Sequence, residues 1–597
     1  MLKHQFFRTT TFAFSLALAL TFQACTPSKD VKETEKIIKV AMGDDPKTLD
    51  PAQSSDQGSS GVIGNIFEGL LRFSYLGPAG QVEPSLARTL PVVKDGGKTY
   101  IFHIRKEVLF QDDPAFPEGK GREVTAHDFV YSFKRIADPN PTSPNWWMFE
   151  GMIVGLNEWR EKLKNASPEE RQGIWDSSIE GLAATDRHTL QLQLTRAYPQ
   201  LLQILSMTHA SVVAREVVNK YSEDVGNHPI GTGAYYLKDW IRGSKVVLAR
   251  NPTFREDTYP TVGTDEERKD GLLKAAGEKI PFADQLHFSI FKEEQPRWLN
   301  FLTGNLDITG IPKDNFSDTI GASGDLKEEM RIKGFRLKKR LSLTSWWIEF
   351  NLKDEFLGKH KKVRQAMWHA FDRKRALELL FNNRGQIAGG PITPTLEGGS
   401  PIESNPYPYD LEKAKALLKE AGFEGGKGIP EFTFDLRGAG ATNRQLGEFL
   451  KDSFAQIGIE LKIRGNTFSQ ALQIMKEAKF QIMLGGWAAD YPDPENFLQL
   501  YYSPNKAPGP NSANFANSEY DKLYEQIRTE RPGPSRSKAI AKMNKILQDE
   551  AAAIFFFHSM AYTVYRSWLK NFAPHEFLYG TERFWDIDQE EKQKLLN

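Results

Sequence analysis

Phe480-Gln-Ile-Met-Leu-Gly-Gly-Trp-Ala-Ala-Asp-Tyr-Pro-Asp-Pro-Glu-Asn-Phe497 is the stretch that decides how this chain folds. Phe480 to Leu484 is a short apolar run suited to a buried strand, and Gly485-Gly486 is expected to end it. Trp487, Asp490, Tyr491 and Asp493 follow in a short loop before a helix that starts near Glu495. Loops after strand ends are where α/β proteins place ligand-contacting groups. Asp493 reads more simply as a cap of the coming helix, with Asn496 as the alternative cap. Pro492 and Pro494 spoil the spacing a calcium loop would need from Asp490, Asp493 and Glu495.

On both sides of this stretch strands and helices interleave from end to end, which predicts an α/β chain. Thr99 to Arg105, Leu190 to Leu194 and Ile459 to Arg464 alternate like half-buried strands. Thr125-Ala-His-Asp128 is a capping-box pattern, and Phe129, Phe133 and Ile136 follow on one helical face. Asp410 and Asp372 are placed to cap two further helices. Gly231-Thr-Gly233 is expected as a structural turn entering a strand, with glycines for positive φ. Asp257 to Glu278 reads as an exposed insertion, and Arg364 and Arg373 as solvated charges on or beside a helix. Trp346 and Trp347, being adjacent, would point to opposite faces of a strand, one toward a cleft and the other toward a core.

At 597 residues the chain is too long for one core and is expected to form about three or four domain-sized units. Its 77 basic and 77 acidic residues cancel, so there is no basic footprint for nucleic acid. Lys3 and Arg8 precede an apolar run from Phe12 to Phe22, too short to span a bilayer. Cys25, the only cysteine, follows at once, so no internal disulfide can form. Residues 1–24 read as a signal peptide, Cys25 as a lipidation site and 25–34 as a polar tether. Phe22 and Gln23 depart from the bacterial lipobox that this run resembles. Neither a Gly-x-Ser-x-Gly elbow nor a His-Glu-x-x-His motif is present, which argues against the alternative of a lipid-anchored hydrolase.

Five ordered segments resemble the large peptide/nickel-type solute-binding proteins, family 5, the oligopeptide- and dipeptide-binding type. They are Glu68-Gly-Leu-Leu71 with Val82-Glu-Pro-Ser-Leu-Ala87; Thr99 to Phe110 with Val124 to Arg135; His228-Pro-Ile-Gly-Thr-Gly-Ala-Tyr235; Asn351-Leu352 with Val363-Arg-Gln-Ala-Met367 and Ala370-Phe-Asp-Arg373; and Gly486 to Phe497. The resemblance implies an α/β, two-lobe periplasmic-binding-protein-like (class II) fold with an extra third domain. Lobe I would take 35–72, 195–340 and 555–597, the extra domain 73–194, and lobe II 341–554. It implies a monomeric, non-enzymatic, cofactor-free component of an ABC importer in the cell envelope. Such a protein captures short peptides between its lobes and delivers them to permease subunits. Asp490, in Ala489-Asp490-Tyr491, would pair with the peptide ammonium. Gly485, Gly486 and Trp487 would bind the peptide main chain as an added strand, with Tyr491, Trp346 and Trp347 as further candidates. The same fold with nickel, haem, an oligosaccharide or an opine is the alternative, because the site rather than the fold sets cargo.

Overall fold

The computed structural model describes residues 35–78, 80–399 and 406–597. The expected leader, the Cys25 lipidation site and the tether lie outside them. An eleven-stranded sheet runs through the described chain. From one edge its order is Leu461–Arg464, Phe432–Asp435, Ile482–Ala488, Phe335–Phe350, Ala553–Arg566, Ile308–Gly310, Ile37–Met42, Gln285–Ile290, Lys245–Arg250 and Tyr235–Ile241. Gly385–Ile387 branches from Ala553–Arg566.

Phe432–Asp435 pairs in parallel with both of its neighbours, and Ile37–Met42 does the same at the other end. Parallel neighbours need crossovers. The helices Ala441–Ala455 and Phe468–Lys476 supply them at the first end. The two ends are joined by the long antiparallel pair Phe335–Phe350 and Ala553–Arg566. Their ladder runs from Phe335–Arg566 to Leu341–Met560, shifts register, and resumes from Ser345–His558 to Glu349–Ala553.

A separate antiparallel sheet is ordered Val92–Lys94, Thr99–His103, Thr189–Gln193 and Leu182–Asp186. Its alternation buries Tyr100, Phe102, Leu190 and Leu192. The helix Ala126–Ala137 packs on it with Phe129, Phe133 and Ile136 buried. Thr125 and Asp128 form the expected capping box, and Asp372 and Asp410 cap their helices as expected.

Several expectations change. Gly485 and Gly486 do not end their strand: pairing with Phe335–Phe350 continues through them to Ala488–Thr344. Arg364 and Arg373 are buried, not solvated. Arg364 donates to the carbonyls of Ala551 and Glu550, and Arg373 to those of Ala388, Phe555 and Tyr407. Each guanidinium thus satisfies main-chain carbonyls from several separate segments. Gly231 and Gly233 need no positive φ; a Cβ on Gly231 would collide with the backbone of Ile66 and Phe67, and one on Gly233 with that of Asn65 and Ile66. The 257–278 stretch is mostly exposed, as expected, but it is anchored at its start: Tyr259 is buried, and Asp257 pairs with Arg72 at 2.5 Å and Arg255 at 3.1 Å.

Candidate functional site

The Ile482–Ala488 strand lies between Phe335–Phe350 and Phe432–Asp435. It touches the latter only at Ile482 and Met483. From Leu484 to Ala488 that edge has no strand partner among the described residues, so apart from the Gly486 carbonyl, which accepts from Arg437, it can take an incoming main chain. The two glycines sit opposite the two tryptophans, Gly485 to Trp347 and Gly486 to Trp346. A Cβ on Gly485 would overlap the Trp347 indole nitrogen, and one on Gly486 the Trp346 ring.

The tryptophans have opposite surroundings. Trp347 is 3% exposed and lies in the core near Tyr501, 6.5 Å between ring centroids. Trp346 is half-buried, donates to Ser559 Oγ at 2.8 Å and carries the Arg437 guanidinium 5.5 Å from its ring centre. Arg437 also sits 5.7 Å from Phe468 and donates to the Gly486 carbonyl at 3.2 Å. No carboxylate lies within ion-pair distance of it among the described residues, and burial lowers its pKa. Sequence reasoning missed Arg437. Its signal is the one used for Asp490: a strand end, here Asp435, followed by a glycine-rich loop, Gly438-Ala-Gly440.

Asp490 is half-buried just past the strand end. Its Oδ2 accepts from Asn496 Nδ2 at 3.2 Å, and no cation pairs with it among the described residues. Burial pushes its carboxyl up to about 7, against the opposing pull of that hydrogen bond. Tyr579 is close enough to feel both Asp490 and Asp56, and burial together with those carboxylates raises its hydroxyl pKa. Trp487 donates its indole N–H to Asn496 Oδ1 at 2.8 Å. Tyr491 is fully buried and bonds to Glu495, so it belongs to the core rather than to a cleft wall. Asp493 sits one residue ahead of the N-cap position, Pro494, and accepts from Glu495 N at 2.8 Å. It also pairs with buried Arg536 at 2.5 Å and accepts from Gln200 at 3.0 Å.

A cavity of about 750 Å³ is lined by other residues: Gly485, Gly486, Trp346, Trp347, Tyr491 and Arg437 are not in its wall. Val40 to Asp45, Asp56 to Gly58 and Phe291 to Gln295 line one wall, and Gly438 to Asn443 and Thr467 to Ser469 the other. It reaches the site through Phe468, which touches Arg437, and through Gln57 and Asp56, which flank Tyr579. Asp490 and Trp487 stand beyond its lining. Among the described residues no three His, Cys, Asp or Glu side chains converge as a metal site, and no helix is long and apolar enough to cross a membrane.

A two-lobe α/β fold with a cavity between the ends of a continuous sheet defines a protein that binds a ligand between lobes. The pattern of bacterial extracellular solute-binding proteins, family 5 Middle, matches residues 81–509, and the chain belongs to that family. It is similar to the dipeptide-binding protein of Escherichia coli (strain K12), 27% identical over 504 residues, covering 82% of this chain and 84% of that protein. Heme-binding protein A of Haemophilus influenzae is 23% identical over 605 residues, covering 98% and 99%. The periplasmic binding protein DppA of Helicobacter pylori, solved with the peptide STSA, superposes with a TM-score of 0.75 at 21% identity. That match covers 93% of this chain and 98% of that one, and shows a shared fold.

Proposed function

We propose that this protein is the substrate-binding component of an ABC importer and that it captures short peptides by their free amino end. The observation that carries this is Asp490: a half-buried carboxylate without a cation, at the end of a strand whose edge is open. Burying a lone carboxylate is costly unless a cation meets it, and an α-ammonium makes a short, charge-assisted bond there. The open edge from Leu484 to Ala488 would hold the main chain, and Arg437 the terminal carboxylate. A haem or an oligosaccharide would use aromatic surface without needing Asp490.

The lobes are proposed as 35–72, 195–340 and 555–597 against 341–554, with 73–194 as the extra domain. The register shift between Leu341 and Ser345 supports a hinge there. Closure would bury the ligand and shape the surface that permease subunits meet; no chemistry is required. The leader and Cys25 support delivery across the inner membrane and lipid anchoring in the envelope, with the protein acting as a monomer.

The test is to denature the protein purified from its native envelope and identify what it releases by mass spectrometry. Peptides of a few residues with free amino ends are expected. A haem, a sugar or an opine in stoichiometric amount would replace the peptide reading while leaving the fold standing.

A further inference from the structure

We propose that Asn496 is a positioning residue that fixes the Asp490 carboxylate and the Trp487 indole in one geometry, ready for the ligand's ammonium group. This rests on the peptide reading above. Asn496 is fully buried. Its Oδ1 accepts from Trp487 Nε1 at 2.8 Å and from the Asp490 backbone N–H at 3.0 Å, while Nδ2 donates to Asp490 Oδ2 at 3.2 Å. One amide therefore ties together the backbone of residue 490, its carboxylate and the neighbouring indole. Asp490 Oδ1 is left without a partner among the described residues, and that is the oxygen a ligand cation would take.

The helix does not need this side chain. The first N–H of the Glu495–Leu498 turn is already taken by Asp493, whose Oδ1 accepts from Glu495 N. The Asn496 side chain instead turns back onto the loop. Among side chains of this size only an amide can accept from two N–H groups and donate to a carboxylate at once. A leucine would strand both N–H groups. An aspartate would set a second carboxylate against Asp490.

The donation from Nδ2 also favours the ionised form of Asp490, opposing burial. The titratable group facing Asp490 from outside its own loop is Tyr579, on the C-terminal segment, with Asp56 next to it. No cation among the described residues shares this work, so Asn496 is what keeps Asp490 chargeable near neutral pH.

The test uses trialanine and N-acetyl-trialanine with the unaltered protein and Asn496→Leu. Asn496→Leu should bind trialanine about tenfold more weakly at pH 7, the scale of a hydrogen bond to a charged group. Its binding midpoint should move to higher pH, and the weak binding of the acetylated peptide should not change. A variant with wild-type affinity and pH profile overturns the proposal and leaves the peptide reading intact. No binding of trialanine by the unaltered protein overturns the peptide reading instead. A second measurement needs no folded Asn496 variant. With ¹⁵N-labelled tryptophan, the Trp487 indole resonance, assigned by its loss in Trp487→Phe, should titrate with the midpoint of Asp490 and stop doing so in Asp490→Asn. An indole signal indifferent to that titration also overturns the proposal.

Discussion

Trp347 and Gly485 face each other across the ladder between Phe335–Phe350 and Ile482–Ala488, and the indole nitrogen of the first occupies the space where a side chain on the second would begin. Gly486 stands in the same relation to Trp346 on the opposite face. The two glycines are therefore present for space. Each lets a tryptophan lie flat over the strand, one into the core and one toward Arg437.

Gly485→Ala should destabilise the protein by about 1–3 kcal/mol, the usual cost of overpacking a filled core. Gly486→Ala should cost less, because half-buried Trp346 has room to shift. Chemical denaturation of both variants, and of Gly485→Ala combined with Trp347→Leu, checks this. The second substitution should recover part of the loss, since it removes the atom that the new methyl meets.

Asp490 gives the ligand-free protein a defined pH dependence. Its folded-state carboxyl is raised to about 7, while unfolded carboxyls titrate near about 4. Between those values the folded state holds the extra proton, so this group's contribution to stability declines as pH rises from about 4 to 7. Glu349, raised to about 7 by burial, acts in the same direction. Asp490→Asn should match the unaltered protein in melting temperature near pH 4 and exceed it above pH 7. An Asp490→Asn protein no more stable than the original at pH 8 would show that the carboxylate is not strained in the empty state.

Arg437 should matter to the other end of the ligand. Amidating the C-terminus of a short peptide should weaken binding to the unaltered protein by about 2 kcal/mol or more, the lower range for removing one partner of a desolvated pair. It should change little in Arg437→Ala. Calorimetric titration of both peptides into both proteins gives the coupling directly, and equal losses in the two proteins would remove Arg437 from the site.

Asp493 behaves differently from Asp490 although it lies three residues away. It pairs with Arg536, which is 1% exposed and also pairs with Glu397 at 2.6 Å and donates to the Ile527 carbonyl at 3.1 Å. Asp493→Ala should cost about 3 kcal/mol of stability, as expected when a buried charge loses its partner. It should leave the preference for free over acetylated peptides unchanged, which thermal melts with both peptides would show.

Much of this was legible from local pattern. The capping box at Thr125–Asp128, the stripe of Phe129, Phe133 and Ile136, and the loop bearing Asp490 follow from rules that act over a few residues. What was hidden depends on distant partners. The glycines at 485 and 486 looked like a strand end because glycine usually punctuates; only the tryptophans at 346 and 347, far earlier in the chain, explain why pairing continues. Arg364 and Arg373 looked solvated because their partners are backbone carbonyls, which leave no trace in side-chain sequence. Tyr491 carried the same signal as Asp490, yet Glu495 draws its hydroxyl inward. Arg437 escaped notice because its relation to Trp346, Phe468 and Gly486 is tertiary.

Whether Asp490 receives a peptide's ammonium group is decided by the melting temperature of protein stripped of co-purified ligand, with a tripeptide library and with the same library N-acetylated. Ligand at a hundredfold excess over Kd stabilises by about 2.7 kcal/mol. A clear rise is expected with free peptides, little with acetylated ones, and no difference between the two in Asp490→Ala. Equal stabilisation by both libraries, or persistence of the difference in Asp490→Ala, would contradict that role for Asp490.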